Sequence, residues 1–131
     1  MPDAELIRQA NAVTRPRRIG LSVEVASIGA AIEAADGRIF TGVCIDAACG
    51  IGFCAEHAAV AAMITAGQSH VMAMVAVDAK GTVLAPCGRC RELVLQIDSA
   101  NRDTRVLLPG GRAMALGQLM PEWWQISEKS L

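Results

Sequence analysis

The chain has 131 residues, which at roughly 150 residues per domain predicts one domain around one core. Twelve Lys and Arg stand against thirteen Asp and Glu for a net charge of −1, and the aromatic residues are two Trp and two Phe; a protein with neither a positive field for phosphates nor rings for stacked bases is not a nucleic-acid binder. Hydrophobic residues make up 53%, more than one small core needs, so the surplus predicts burial between subunits.

The first residues, Met1-Pro2-Asp3-Ala4-Glu5, lack the basic, apolar, small-residue order of a secretory signal, which predicts a cytoplasmic protein. Residues 3–14 place Leu6, Ile7, Ala10 and Val13 at helical spacing behind Asp3 as N-cap and predict an amphipathic helix. Arg15, Arg17 and Arg18 around Pro16 read as the solvated end of that helix. Residues 23–34 and 38–45 are apolar runs separated by Asp36-Gly37, a dipeptide suited to a tight turn, and predict an antiparallel hairpin. Residues 55–66, apolar on every side and followed by Gly67, predict a buried helix. Residues 71–77 predict a central strand, after which Asp78-Ala79-Lys80-Gly81 turns the chain toward Pro86 and Cys87. Residues 91–97 predict a helix with Leu93, Val94 and Ile97 on one face. Residues 106–108 predict a short strand ended by Pro109-Gly110-Gly111, and residues 115–119 a last short helix. His70 reads as a surface loop residue, and Met63, Met72 and Met74 as core filling. The longest apolar runs, 58–64 and 71–77, fall far below the roughly 18 to 20 residues of a membrane span. Strands alternating with helices predict a single α/β domain over 1–131, with the hairpin first and parallel crossovers after it.

Five cysteines, an odd number at low density, predict ligands, a nucleophile or core residues rather than a disulfide framework. The apolar helix opens with Cys54-Ala55-Glu56-His57, and an unpartnered buried carboxylate costs on the order of several kcal/mol. Glu56 therefore either satisfies free N–H groups of the first turn or serves a bound group. Pro86-Cys87-Gly88-Arg89-Cys90 sets two thiols one helical turn apart, a spacing shared by redox dithiols and metal ligands. Taken together, Cys54, Cys87 and Cys90 offer three thiolates to Zn²⁺ and leave a fourth position for water. Glu56, two residues from one ligand, supplies an acid/base that does not bind the metal, which is the known signature of zinc-dependent nucleobase deaminases. Cys49 reads as a core residue.

Cys54-Ala55-Glu56 with Pro86-Cys87-Gly88-Arg89-Cys90-Arg91 resembles the small three-cysteine zinc cytidine deaminases, and Asp36-Gly37-Arg38-Ile39-Phe40-Thr41-Gly42-Val43 is especially similar to the blasticidin S deaminases. The resemblance runs from about Ser27 to the C-terminus. It implies a three-layer α/β/α sandwich with a mixed five-stranded sheet, a homotetramer, a small nucleoside substrate, and hydrolysis of a cytosine 4-amino group to a 4-oxo group with loss of ammonia. Glu56 would move protons between water, ring N3 and the leaving amine. Substrate contacts are implied at Cys44, Asp46, Ala55 and Trp124. Where the family carries Asn-x-Glu for the sugar, this chain reads Cys44-Ile45-Asp46, which shifts the expectation toward blasticidin S or another cytosine nucleoside.

Three thiolates leave the zinc site with a net charge of −1, so helix N-termini, His57 and Arg91 or Arg89 are expected to tune it. His57 stands where many relatives carry Arg. A hydrogen bond from it to a ligand sulfur, Cys54 or Cys87, would favour the imidazolium; packing against a backbone carbonyl is the alternative. Trp123 and Trp124 read as a tail anchor or, for Trp124, as a lid over the base. Two rival functions remain: a thioredoxin-like dithiol protein using Cys87 and Cys90, and a non-catalytic zinc module.

Overall fold

Asp36-Gly37 makes the sharp turn its composition predicts. Gly37 sits at φ +88°, its N–H donates to the Ala34 carbonyl, and the Arg38 N–H donates to Asp36 Oδ1. This turn joins β2 (Val23–Ala34) to β3 (Ile39–Ala47) in the long hairpin that organises the sheet. The computed structural model describes residues 1–125; the remaining residues of the expected 1–131 domain, 126–131, lie outside the described part. Around the hairpin run α1 (Asp3–Ala12), β1 (Arg17–Gly20), α2 (Ala55–Thr65), β4 (Val71–Asp78), β5 (Val83–Leu84), α3 (Gly88–Ile97), β6 (Arg105–Leu108) and β7 (Arg112–Ala115). Short 3-10 turns occupy Ala48–Gly50, Ser99–Asp103 and Leu116–Leu119.

The sheet has seven strands where five were expected. Five form the frame in the order β3-β2-β4-β6-β7. The short β1 pairs with the first half of β2 on the side that β4 occupies farther along, and the short β5 pairs with the end of β4. β1, β5 and β7 contain four, two and four residues and carry no continuous apolar run such as Val106-Leu107-Leu108 gives β6, which is why the sequence did not disclose them. Among the described residues only β4 and β6 pair in parallel, through the α3 crossover. Pro109-Gly110-Gly111 ends β6, as expected, and turns the chain into β7.

Alternate residues of β2 point to opposite sides, and both sides are covered. Leu6 and Ala10 of α1 pack on Ala31, Val75, Val77 and Leu107 on one face. Ala59, Val60 and Met63 of α2 and Val94 and Leu95 of α3 pack on Ala30, Ile32 and Met74 on the other. The result is the α/β/α sandwich. Burial on both faces explains why β2 and β4 read as nearly continuous apolar runs.

Several local expectations change. Asp3 is the first helical residue and not the cap; its carboxylate receives the Arg105 guanidinium at 2.7 Å. Arg17 and Arg18 belong to β1 and not to a helix end. The helix expected at 91–97 begins at Gly88, and the helix expected at 115–119 is a 3-10 turn with Ala115 in β7. Met72 is 47% exposed and does not fill the core, because it is the residue skipped where the β2–β4 register shifts, Glu33 facing Ala73 and Ala34 facing Val71. Cys49 is exposed at φ +63° within a turn, so it does not fill the core. α2 is apolar all round but not buried all round: Ile64 is 48% exposed beside exposed Ala61 and Ala62. No helix among the described residues is long and apolar enough to cross a membrane.

α2 lies unusually close to β3, and Gly42 makes this possible. A Cβ at that position would stand 2.5 Å from the Ala59 nitrogen and 2.8 Å from the Ala55 carbonyl oxygen. Gly42→Ala must displace α2 and the residues at its start. Expected is a loss of about 2–4 kcal/mol in urea unfolding together with weaker zinc retention, and wild-type values for both would contradict this account of the packing.

Candidate active site

Two helices begin at one place. Cys54 is the N-cap residue of α2 and Cys87 that of α3, both extended at ψ 156° and 166°, and Cys90 lies one turn into α3. β3 is tied to the strand-like approach to Cys54 by paired Ile45 and Phe53 backbone hydrogen bonds of 3.0 and 2.9 Å. The thiols then converge: Cys54 Sγ and Cys90 Sγ each lie 3.5 Å from Cys87 Sγ. Cys54 Sγ and Cys90 Sγ are within 4.8 Å of one another and of His57 Nδ1. A tetrahedral zinc with sulfur ligands at about 2.3 Å requires sulfurs spaced by about 3.8 Å, so this triangle fits the ion with little adjustment.

The electrostatics also suit a cation. Burial pushes the Cys54 thiol up, and burial followed by the Glu56 charge pushes Cys90 up strongly; neither ionises readily without a positive charge beside it. Cys87 differs. Burial raises it, but the backbone N–H groups of Cys90 and Arg89 at the start of α3, with the neighbouring thiols, bring it below the ordinary thiol range.

Glu56, only 5% exposed, sits in the first turn of α2. Burial raises its pKa, opposed by its own backbone N–H and by the Cys90 thiol, so the buried carboxyl holds a proton more readily than an exposed one does. His57 Nδ1 lies 3.4 Å from Cys90 Sγ, a different sulfur from the two expected. Burial and then the Arg89 charge hold His57 below its usual pKa. Arg91 is engaged elsewhere: its Nε donates to the Pro86 carbonyl at 2.8 Å and its Nη1 to the Leu119 carbonyl at 3.3 Å. The guanidinium therefore braces the Pro86–Cys87 turn from behind.

A cavity of about 480 Å³ opens over these groups, lined by Glu56, Cys54, Cys87, Ala55 and Arg89 at one end and by Cys44 and Asp46 at the other. Cys44 is buried, accepts the Ile28 N–H at 3.4 Å, and lies 3.3 Å from Ser27 Oγ. Asp46 is exposed, its Oδ2 4.0 Å from Cys44 Sγ. Ser27 also lines the cavity and was missed in the sequence, where a lone hydroxyl in the apolar run of β2 was the available signal. Trp124 is not brought to this cavity. It is 67% exposed, its Nε1 donates to Glu92 Oε2 at 3.1 Å, and Trp123 donates to the same carboxylate, so within its own chain the lid reading is replaced by a tail anchor on α3.

No protein-family model matches the chain. It is 36% identical over 98 residues to a cytidine deaminase of Mycobacterium tuberculosis, covering 73% of this chain and 71% of the relative. The Blasticidin-S deaminase of Bacillus cereus is 37% identical over 76 residues, 51% of this chain and 54% of that protein. The crystal structure of cytidine deaminase from Mycobacterium tuberculosis matches with a TM-score of 0.78 at 30% identity, covering 93% of this chain and 97% of that one.

Proposed function

Because the chain belongs to the cytidine deaminase family, we propose that it is a zinc-dependent hydrolase that converts the 4-amino group of a cytosine-ring nucleoside to a 4-oxo group and releases ammonia. The observation that carries this reading is the meeting of the Cys54, Cys87 and Cys90 sulfurs beside a buried Glu56, with Cys54, Cys87 and Glu56 lining one cavity. Zinc, when bound, supplies a Lewis acid that brings the pKa of water toward neutrality. Glu56 takes a proton from the attacking water and delivers it to ring N3 as the oxygen bonds to C4. It then carries the second water proton to the amino group, the C4–N bond breaks, and ammonia leaves. Ala55 flanks the ring in this reading, Cys44 forms a small apolar wall, and Asp46 accepts a hydrogen bond from a sugar hydroxyl.

In this reading His57 supports the metal site by donating a hydrogen bond from Nδ1–H to the Cys90 sulfur, 3.4 Å away, which offsets thiolate charge. His57→Ala is expected to lose zinc to a competing chelator about tenfold more readily, with His57→Gln intermediate. Retention equal to wild type in both would leave His57 as packing. Arg91 acts as a brace, through the carbonyls it holds. The dithiol reading uses Cys87 and Cys90 and leaves Cys54, Glu56 and the cavity without a role, and a non-catalytic zinc module leaves Glu56 idle.

The finer assignments belong to the same proposal: one domain, a homotetramer, and a cytoplasmic location. The exposed apolar side of α2 at Ala61, Ala62 and Ile64 supports burial between subunits, and the unpaired thiols suit a reducing compartment. The test is ammonia release from cytidine, deoxycytidine, cytosine, blasticidin S and adenosine. Turnover of one or more cytosine nucleosides but not of adenosine is expected; no release from any of them overturns the proposal.

A further inference from the structure

Cys87 and Cys90 differ in a way that holding a metal does not require. Their sulfurs lie 3.5 Å apart at the start of α3, yet Cys87 is exposed and lines the catalytic cavity, while Cys90 is 0% exposed and does not. A thiol open to small solutes, in contact with a second that they do not reach, is the arrangement of an attacked and a resolving cysteine. The backbone permits a bond between them. Positions three apart on a helix have Cα atoms separated by about 5 Å, inside the range that disulfides span.

Cys54 Sγ is also 3.5 Å from Cys87 Sγ, but it caps a different helix. A bond between those two must draw the starts of α2 and α3 together, and α2 is already packed against β3 so closely that a Cβ at Gly42 would stand 2.8 Å from the Ala55 carbonyl oxygen. Cys87 and Cys90 close within one turn of one helix and leave α2 where it is. Once they are joined, the ligand atoms remaining beside the site belong to Cys54 and His57, too few for a zinc that needs three protein ligands.

We propose that Cys87 and Cys90 are a peroxide-responsive modification site, at which a disulfide between them expels zinc and stops deamination until a thiol reductant restores the pair. The Cys87 thiolate attacks one oxygen of the peroxide, the O–O bond breaks, and Cys87 becomes a sulfenic acid as hydroxide leaves. The Cys90 thiolate then attacks the Cys87 sulfur, the S–O bond breaks, and a second hydroxide leaves. Two protons convert the hydroxides to water, the two sulfurs have lost two electrons and the peroxide has gained them. The effect on turnover rests on the deaminase reading above, whereas the disulfide is read without it. Dithiol chemistry then controls the metal site instead of replacing it as the protein's function.

The experiment treats zinc-loaded protein with a few equivalents of hydrogen peroxide, caps free thiols with iodoacetamide and digests with trypsin in the absence of reductant. Cys49→Ser is treated in parallel, because Cys49 is the other exposed thiol. Cleavage after Arg38, Lys80, Arg89 and Arg91 places Cys54 in peptide 39–80, Cys87 in 81–89 and Cys90 in 90–91. Expected in both proteins is peptide 81–89 joined to 90–91, with zinc passing to a chromogenic chelator in step with that link. Ammonia release from cytidine is expected to fall about tenfold or more over the same course, and dithiothreitol with added zinc to recover it. Zinc retained while the link forms, peptide 39–80 joined to 81–89 in its place, or zinc lost without a disulfide would overturn the proposal. Untreated zinc-loaded protein that releases no ammonia from any cytosine nucleoside would overturn the deaminase reading and leave the link and the zinc release to decide the modification site.

Discussion

Glu56→Gln is expected to keep zinc, fold and nucleoside binding and to lose about 10³-fold or more in kcat. The substitution conserves shape and keeps a carbonyl oxygen for hydrogen bonding, so a residue 5% exposed in the first turn of α2 is exchanged without leaving a void. What it removes is the capacity to bind a proton and release it again, needed twice in each turnover; among the described residues the one other carboxylate lining the cavity, Asp46, stands beside Cys44 on β3. Zinc content by mass spectrometry and single-turnover rates on cytidine separate the two effects. A Gln variant within tenfold of wild type would show that the proton moves by another route.

Replacing a ligand should have the opposite signature, with metal and stability lost together. Metal that binds the folded chain and not the unfolded one adds its binding energy to folding, about 4 kcal/mol at a thousandfold excess over its dissociation constant. Cys87 and Cys90 should then differ. Cys87 is exposed, so Cys87→Ala is expected to match the chelator-treated wild type in its urea midpoint. Cys90 is 0% exposed in the core of the site, so Cys90→Ala adds the cost of a cavity and should fall below that reference. A zinc-replete, active protein with either substitution would refute the ligand set.

The hairpin, α2 and β4 were legible in the sequence because each is long enough to show its pattern and ends in a residue of definite conformation, as at Gly37 and Gly67. β1, β5 and β7 were not, since their pairing is set by contacts with β2, β4 and β6 that a local window does not contain. The same division holds at the site. Cys54, Glu56, Cys87 and Cys90 stand in two short motifs at helix starts, where spacing along the chain nearly fixes spacing in space. Residues whose partners are distant were misread: the His57 ring meets Cys90, Arg91 meets Leu119, and Trp124 meets Glu92. Ser27 carries no motif, and its place at the cavity follows from the β2–β3 pairing.

The most direct test of the central claim is the fate of water oxygen. Zinc-loaded protein turning over cytidine in ¹⁸O-water is expected to yield one ammonia for each uridine, with one ¹⁸O at C4 of the product. Protein holding one zinc per chain that releases no ammonia, or forms product without the label, would contradict it.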